Sequence, residues 1–296
     1  MLNEQEQRII GLIRDRSVPL KPLPTGLGPK GALRGPVRAV LFDLYGTLFI
    51  SGSGDISVSG DGDAGTDAIQ DDKLGLLLKG YGILEKSTAL RQRFTERIRE
   101  VHASRRSEGV DYPEVVIEEI WRDVLGFASI ERAREFALDY ELLFNPVWPM
   151  PGLTRLFGDL EGSGRLLGIV SNAQFYTPYL FDALLGRSAT EIGFSDELAL
   201  YSSVYGYAKP STYLFDRAAE ALAGRGIDPM HVLYVGNDML NDVLASSRVG
   251  FQTALFAGDR RSLRLRKDDV RCSGISPDVT VKNLTELSDC LKQHKS

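Results

Sequence analysis

Hydrophobic and polar positions along the chain follow two rhythms. Short unbroken apolar runs occur at Ala39-Val40-Leu41-Phe42, Leu166–Val170, Val232–Val235 and Thr253–Phe256. Runs of this length read as strands buried on both faces, as inside a parallel sheet. Between them lie longer stretches with helical spacing. Residues 4–16 set Ile9, Ile10, Leu12 and Ile13 on one helical face, and a Pro/Gly-rich segment then runs to Pro36. From Asp72 to Phe144 three helices are expected. Ser87 caps the one carrying Leu90, Phe94, Ile98 and Val101, and Pro113 opens one carrying Ile117, Ile120, Trp121 and Val124. The third starts at Ile130, with Ala133, Phe136, Ala137 and Tyr140 on a face. Further helices are expected over 153–160, 212–222 and 284–291, and a last strand near Val279. The pattern predicts an α/β fold: a doubly wound parallel sheet, Rossmann-like, with a helical insertion after the first strand. The expected division is an arm (1–36), a core (37–50 and 146–296) and an insertion (51–145), entered through a Gly/Ser/Asp-rich loop at 51–66.

Composition narrows the class. The chain has 296 residues, 43% hydrophobic and 25% charged, with a formal net charge of -5. That is an ordinary globular balance, and it does not support nucleic acid as a partner. No apolar run reaches the length of a membrane span, and the N-terminus lacks a basic-then-apolar signal, so a cytoplasmic protein without membrane association is expected. Cys272 and Cys290 make neither a disulfide framework nor a metal spacing. Residues 1–38 hold seven Lys/Arg against three Asp/Glu. The arm is read as packing on the core or on a second subunit, which would give an oligomer. The 51–66 loop reads as a solvated linker; its Asp spacing is partly that of a calcium loop, but the closing Glu is missing.

The chemistry-bearing residues stand at the ends of the apolar runs. Asp43 ends the first and Gly46 follows it, so a carboxylate stands where open α/β sheets form their ligand crevice. Ser171-Asn172 ends the second, Lys209-Pro210 precedes a helix, and Gly236-Asn237-Asp238-Met239-Leu240-Asn241-Asp242 ends another strand. A hydroxyl, an ammonium and paired acids around a carboxylate suit displacement on an anionic substrate with a hard cation.

In this order the four stretches resemble the motifs of the haloacid dehalogenase-like (HAD) hydrolase superfamily with a type 1 helical cap, over about residues 37–292. The resemblance implies that Asp43 is a nucleophile. Thr47, Ser171 and backbone N–H groups would hold the transferring oxygens, neighbouring Asn172 would belong to the catalytic set, and Lys209 would offset charge. Mg²⁺ would be held by Asp43, the Tyr45 carbonyl and either Asn237 or Asp238, with Asp242 in or just beyond the coordination shell. The first reading is a Mg²⁺-dependent phosphatase, acting through an aspartyl-phosphate on a small phosphorylated metabolite. Tyr45 departs from the pattern, since phosphatases of the superfamily carry Asp there as acid and base. Tyr is what L-2-haloacid dehalogenases have, and halide leaves unprotonated, so metal-free dehalogenation is the second reading. Against it, the dehalogenase Asn would align with Met239 here. A non-catalytic binding or assembly member is the third. Arg91, Arg93 and Arg97 of the cap could reach an anionic substrate, though each alone reads as part of a solvated helix face.

Overall fold

The apolar run at 39–42 is an interior strand of the sheet and is buried along its whole length. The computed structural model describes residues 2–53 and 64–293. In chain order the elements begin with helix α1 (Glu4–Arg16) and strands β1 (Lys30–Gly31), β2 (Ala39–Phe42) and β3 (Phe49–Ser51). Helices α2 (Ala64–Gly80), α3 (Ser87–Ser107), α4 (Ile117–Leu125) and α5 (Ile130–Phe144) follow, and β4 (Val147–Pro149) returns the chain to the sheet. Next come α6 (Leu153–Leu160), β5 (Leu166–Ser171), α7 (Tyr179–Leu185), α8 (Ala189–Ile192), β6 (Phe194–Tyr201) and α9 (Ser202–Tyr205). The last part holds α10 (Tyr213–Ala223), β7 (Val232–Gly236), α11 (Ala245–Arg248), β8 (Gln252–Phe256), β9 (Val279–Val281) and α12 (Leu284–Gln293).

Seven strands pair in the order β1-β9-β8-β7-β2-β5-β6, parallel except for β1 on β9. Leu41 pairs with Gly168 on one side and Tyr234 on the other, so β2 lies between β5 and β7. The strand order reverses at β2, which puts the crevice of a doubly wound sheet at its carboxyl end. One face of the sheet packs on α6, α7 and α12, through Phe42, Phe157, Phe181 and Leu287. The other packs on α10, through Leu41, Phe215, Leu222 and Tyr234.

Helices α2 to α5 enclose an apolar cluster of their own, with Trp121 stacked on Phe94 at 4.0 Å and edge-on to Phe136. The two chain passages between this bundle and the sheet pair as an antiparallel ribbon, β3 with β4. Among the described residues no helix is long and apolar enough to cross a membrane.

Three local expectations fail. The predicted loop to residue 66 ends earlier, because α2 begins at Ala64; residues 54–63 lie outside the described residues. Ser87 starts α3 but does not cap it: its hydroxyl donates to the Asp71 carbonyl and ties α3 to α2. Pro113 does not open a helix. It sits in an extended connector bridged to Tyr207, and α4 starts at Ile117. Backbone groups of 112–117 find partners on the sheet side there, so a helix would forfeit those bonds. The arm packs on its own chain: α1 lies against α5 and α7, and β1 extends the sheet at β9.

Candidate active site

Asp43 is delivered by β2, its amide bonded to the Val235 carbonyl of the neighbouring strand. Gly46 then turns the chain with φ 80°, where a Cβ would overlap Ser262. The Asp43 side chain is 11% exposed. Its Oδ1 accepts from Ser171 Oγ at 2.8 Å and from Lys209 Nζ at 2.9 Å, while Oδ2 makes no bond among the described residues. One carboxylate oxygen is thus fixed and the other is open.

Lys209 is the hub. Its ammonium also donates to Asp242 Oδ1 at 2.6 Å and to the Tyr234 hydroxyl at 2.9 Å, with the side chain 3% exposed. Burial pulls its pKa down, but Asp242 and Asp43 outweigh burial, and the net shift is upward. The ammonium stays charged. Burial pushes the Asp242 pKa up to about 6, against the pull of Lys209 and with Asp43 and Asp238 adding to the rise.

Asn172 braces the Lys209 backbone. Its Oδ1 accepts from the Lys209 amide at 2.7 Å and its Nδ2 donates to the Lys209 carbonyl at 3.2 Å. It positions Lys209. Tyr234 was missed altogether. It donates to the Val170 carbonyl at 2.7 Å and braces both Lys209 and Asp242. A phenol in the middle of a fully buried strand needs such a partner, and that was the available signal.

Tyr45 is buried, and its hydroxyl shares a hydrogen bond with Thr177 Oγ1 at 2.9 Å. Burial raises its pKa well above the ordinary phenol range; Glu141 and Asp43 add to the rise, and the Thr177 bond opposes it. The phenol remains protonated at neutral pH and cannot serve as a base.

The last motif places its two alternatives differently. A wide π-helical turn spans Met239–Leu244, with the Asp242 and Val243 amides both donating to the Asp238 carbonyl. The extra residue it absorbs leaves Asn237, not Asp238, facing the nucleophile loop. Thr47 Oγ1 donates to Asn237 Oδ1 at 3.0 Å, and Asn237 Nδ2 donates to the Ser262 carbonyl at 2.6 Å. Asp238 is spent elsewhere: it caps the turn through the Leu240 and Asn241 amides and pairs with Arg266 at 2.6 Å. No three His, Cys, Asp or Glu among the described residues could hold a metal together. The cap arginines are likewise engaged: Arg91 pairs with Asp71, Arg93 with Glu85, and Arg97 with Asp123 and Glu100.

The remaining donors still fit Mg²⁺. Asp43 supplies a carboxylate, Asn237 Oδ1 has a second lone pair beside its bond from Thr47, and the adjoining Tyr45 carbonyl is a third oxygen. Asp43 and Asp242 formally exceed the one ammonium between them by one negative charge. Ser262 Oγ, buried beside Gly46, has no hydrogen-bond partner among the described residues, as expected where a bound water belongs. An all-oxygen set with one carboxylate is within what Mg²⁺ accepts.

Gly236 must be glycine for this site to close. A Cβ there would overlap the Asp242 carboxylate, which reaches back to accept from the Asp238 amide at 2.9 Å. Gly236→Ala is expected to cost about 1–3 kcal/mol in a urea titration and to loosen Lys209. An unchanged midpoint would contradict this close approach.

Residues 206–287 match the family model described as HAD-hydrolase-like. No curated protein matches the chain's sequence. Among solved structures, it is similar to a HAD phosphatase from Thermococcus onnurineus, with 17% identity and TM-score 0.55 over 88% of this chain and 100% of that one. It is similar also to a 2-haloacid dehalogenase from Pseudomonas syringae pv. Tomato DC3000, with 19% identity and TM-score 0.54 over 87% and 99%. An L-2-haloacid dehalogenase from Xanthobacter autotrophicus, with chloropropionic acid covalently bound, gives 18% identity and TM-score 0.50 over 86% and 98%. Family model and shared fold together support the superfamily assignment read from the motifs.

Proposed function

Starting from a haloacid dehalogenase-like hydrolase, we propose that this chain hydrolyses a small phosphate ester through a covalent intermediate on Asp43. The observation that carries the reading is the buried Asp43–Lys209–Asp242 cluster, in which one oxygen of Asp43 is pinned and the other open. Asp43 Oδ2 attacks phosphorus, the bond to the leaving oxygen breaks, and that oxygen departs with the electron pair. Thr47 and Ser171 orient the reacting groups, and Lys209 reduces repulsion between the carboxylate and an anionic substrate. Water then hydrolyses the acyl phosphate and frees Asp43. Mg²⁺, held by Asp43, the Tyr45 carbonyl and Asn237, would supply charge neutralisation at the phosphoryl oxygens.

Tyr45 limits the substrate. Its protonated phenol is tied to Thr177 and offers no proton shuttle, so the leaving group must depart as a stable anion. The same feature, together with an amide at Asn237, favours one second reading: displacement of halide from a 2-haloacid.

The test is phosphate release from an activated aryl phosphate, with Mg²⁺ and then with chelator. Metal-dependent release supports the phosphatase reading, and Asn237→Asp is then expected to lower the half-saturating Mg²⁺ concentration by about tenfold. Halide release from 2-chloropropionate in chelator would replace it with the second reading. Neither product would sink both.

A further inference from the structure

Two different kinds of contact join the helical bundle to the sheet. On one side lies α1. Its Ile9, Ile10 and Ile13 enter one apolar cluster with Leu138 and Leu142 of α5 and Phe181 of α7, and Ile13 is fully buried. Polar contacts flank this seam. Arg8 pairs with Glu135 at 2.9 Å and Arg16 with the buried Asp139 at 2.8 Å, both on α5. Toward α7, Glu6 accepts from the Tyr179 hydroxyl at 3.1 Å. The helix is set for this place by its own ends, with a capping box at Asn3 and Glu6.

The other side is the connector 111–117, where hydrogen bonds predominate and only the partly buried Ile117 and the neighbouring Phe175 touch both apolar clusters. The Ala208 amide donates to the Tyr112 carbonyl at 2.7 Å and the Glu114 amide to the Gly206 carbonyl at 3.1 Å. Gln174 clamps the connector twice, accepting from the Ile117 amide and donating to the Val115 carbonyl. These anchor points adjoin Lys209 in the loop before α10 and Ser171-Asn172 at the end of β5. Hydrogen bonds of this kind are exchanged for bonds to water when a surface opens, at small net cost; an apolar seam has no such exchange.

We propose that α1 is an intramolecular strap that holds α5 to α7, so that the bundle and the sheet part only at the connector 111–117, the gate to Asp43. The arm thereby converts a bundle joined by the β3–β4 ribbon into one that swings about a fixed edge. This inference does not depend on which bond the site cleaves.

Hydrogen exchange of the full chain, read by mass spectrometry, tests it without substrate. Amides of Ile10–Ile13 are expected to exchange at least about tenfold more slowly than those of Glu114, Ile117 and Ala208. In Ile13→Asp, α5 is expected to exchange about tenfold faster while β2 and β7 are unchanged. If α1 exchanges as fast as the connector, or α5 ignores the substitution, the strap is refuted. Should Ile13→Asp speed exchange in β2 as well, it has unfolded. The double variant Arg8→Ala/Arg16→Ala then decides: faster exchange in α5 alone supports the strap, and an unchanged α5 overturns it.

Discussion

Asp43→Asn is expected to lower turnover by about 10⁴-fold or more, with the fold intact. The amide is isosteric, and its oxygen can still accept from Ser171 Oγ and Lys209 Nζ, so the packing around it is kept. What is lost is the nucleophile, since an amide oxygen cannot form the covalent intermediate at a useful rate. Steady-state rates with the activated aryl phosphate measure the loss, and a thermal melt close to wild type shows that it is chemical. Residual activity within tenfold of wild type would remove Asp43 from the reaction. Solvent oxygen reports which bond is hydrolysed in the second step. Water attacking an acyl phosphate at phosphorus leaves Asp43 unlabelled. Water attacking an alkyl ester at its carbonyl carbon puts solvent oxygen into the Asp43 carboxylate, so a single turnover in labelled water separates the two readings by peptide mass.

Lys209→Met is expected to reduce stability by about 3–5 kcal/mol at pH 8. Methionine fills the side-chain volume but leaves Asp43 and Asp242 buried without their shared cation, and the Tyr234 hydroxyl without its donor. The loss depends on pH with a definite sign. In the wild type the Asp242 pKa is already raised to about 6. Between about 4 and 6 the folded state therefore binds more protons than the unfolded chain, and this group's contribution to stability declines as pH rises. Removing the ammonium raises the Asp242 pKa further, so the penalty is largest where Asp242 must ionise and shrinks as pH falls. Urea titrations at pH 8 and pH 5 test this. An equal penalty at both would mean that uncompensated charge is not its source.

Much of the fold was legible in the sequence because a fully buried strand leaves an unmistakable trace. Ala39–Phe42 matches β2 residue for residue, and Asp43 and Ser171 at strand ends meet Lys209 from the loop before α10 and Asp242 from the turn after β7. Helix periodicity located α1, α3, α4 and α5, but the starts of the two helices judged by caps were misread. Ser87 and Pro113 answer to partners distant in the chain: the Asp71 carbonyl for one, Tyr207 for the other. Local capping rules cannot see such partners.

The choice between Asn237 and Asp238 shows the same boundary within the site. The sequence allowed either spacing to Asp242. It was decided by a wide helical turn and by Arg266, 28 residues away, which claims the Asp238 carboxylate. Tyr45 was visible as a departure, yet only packing ties its hydroxyl to Thr177 and raises its pKa. The arm was visible as an amphipathic helix, yet its seat between α5 and α7 depends on faces assembled from residues more than a hundred positions on. By itself the sequence determined which residues are buried, where the strands end and which chemical groups those ends carry, because these follow from local pattern and side-chain type. Tertiary structure alone decided which of Asn237 and Asp238 faces the nucleophile loop, which polar groups are already satisfied and what α1 holds together, because each is a competition among partners brought close only by folding.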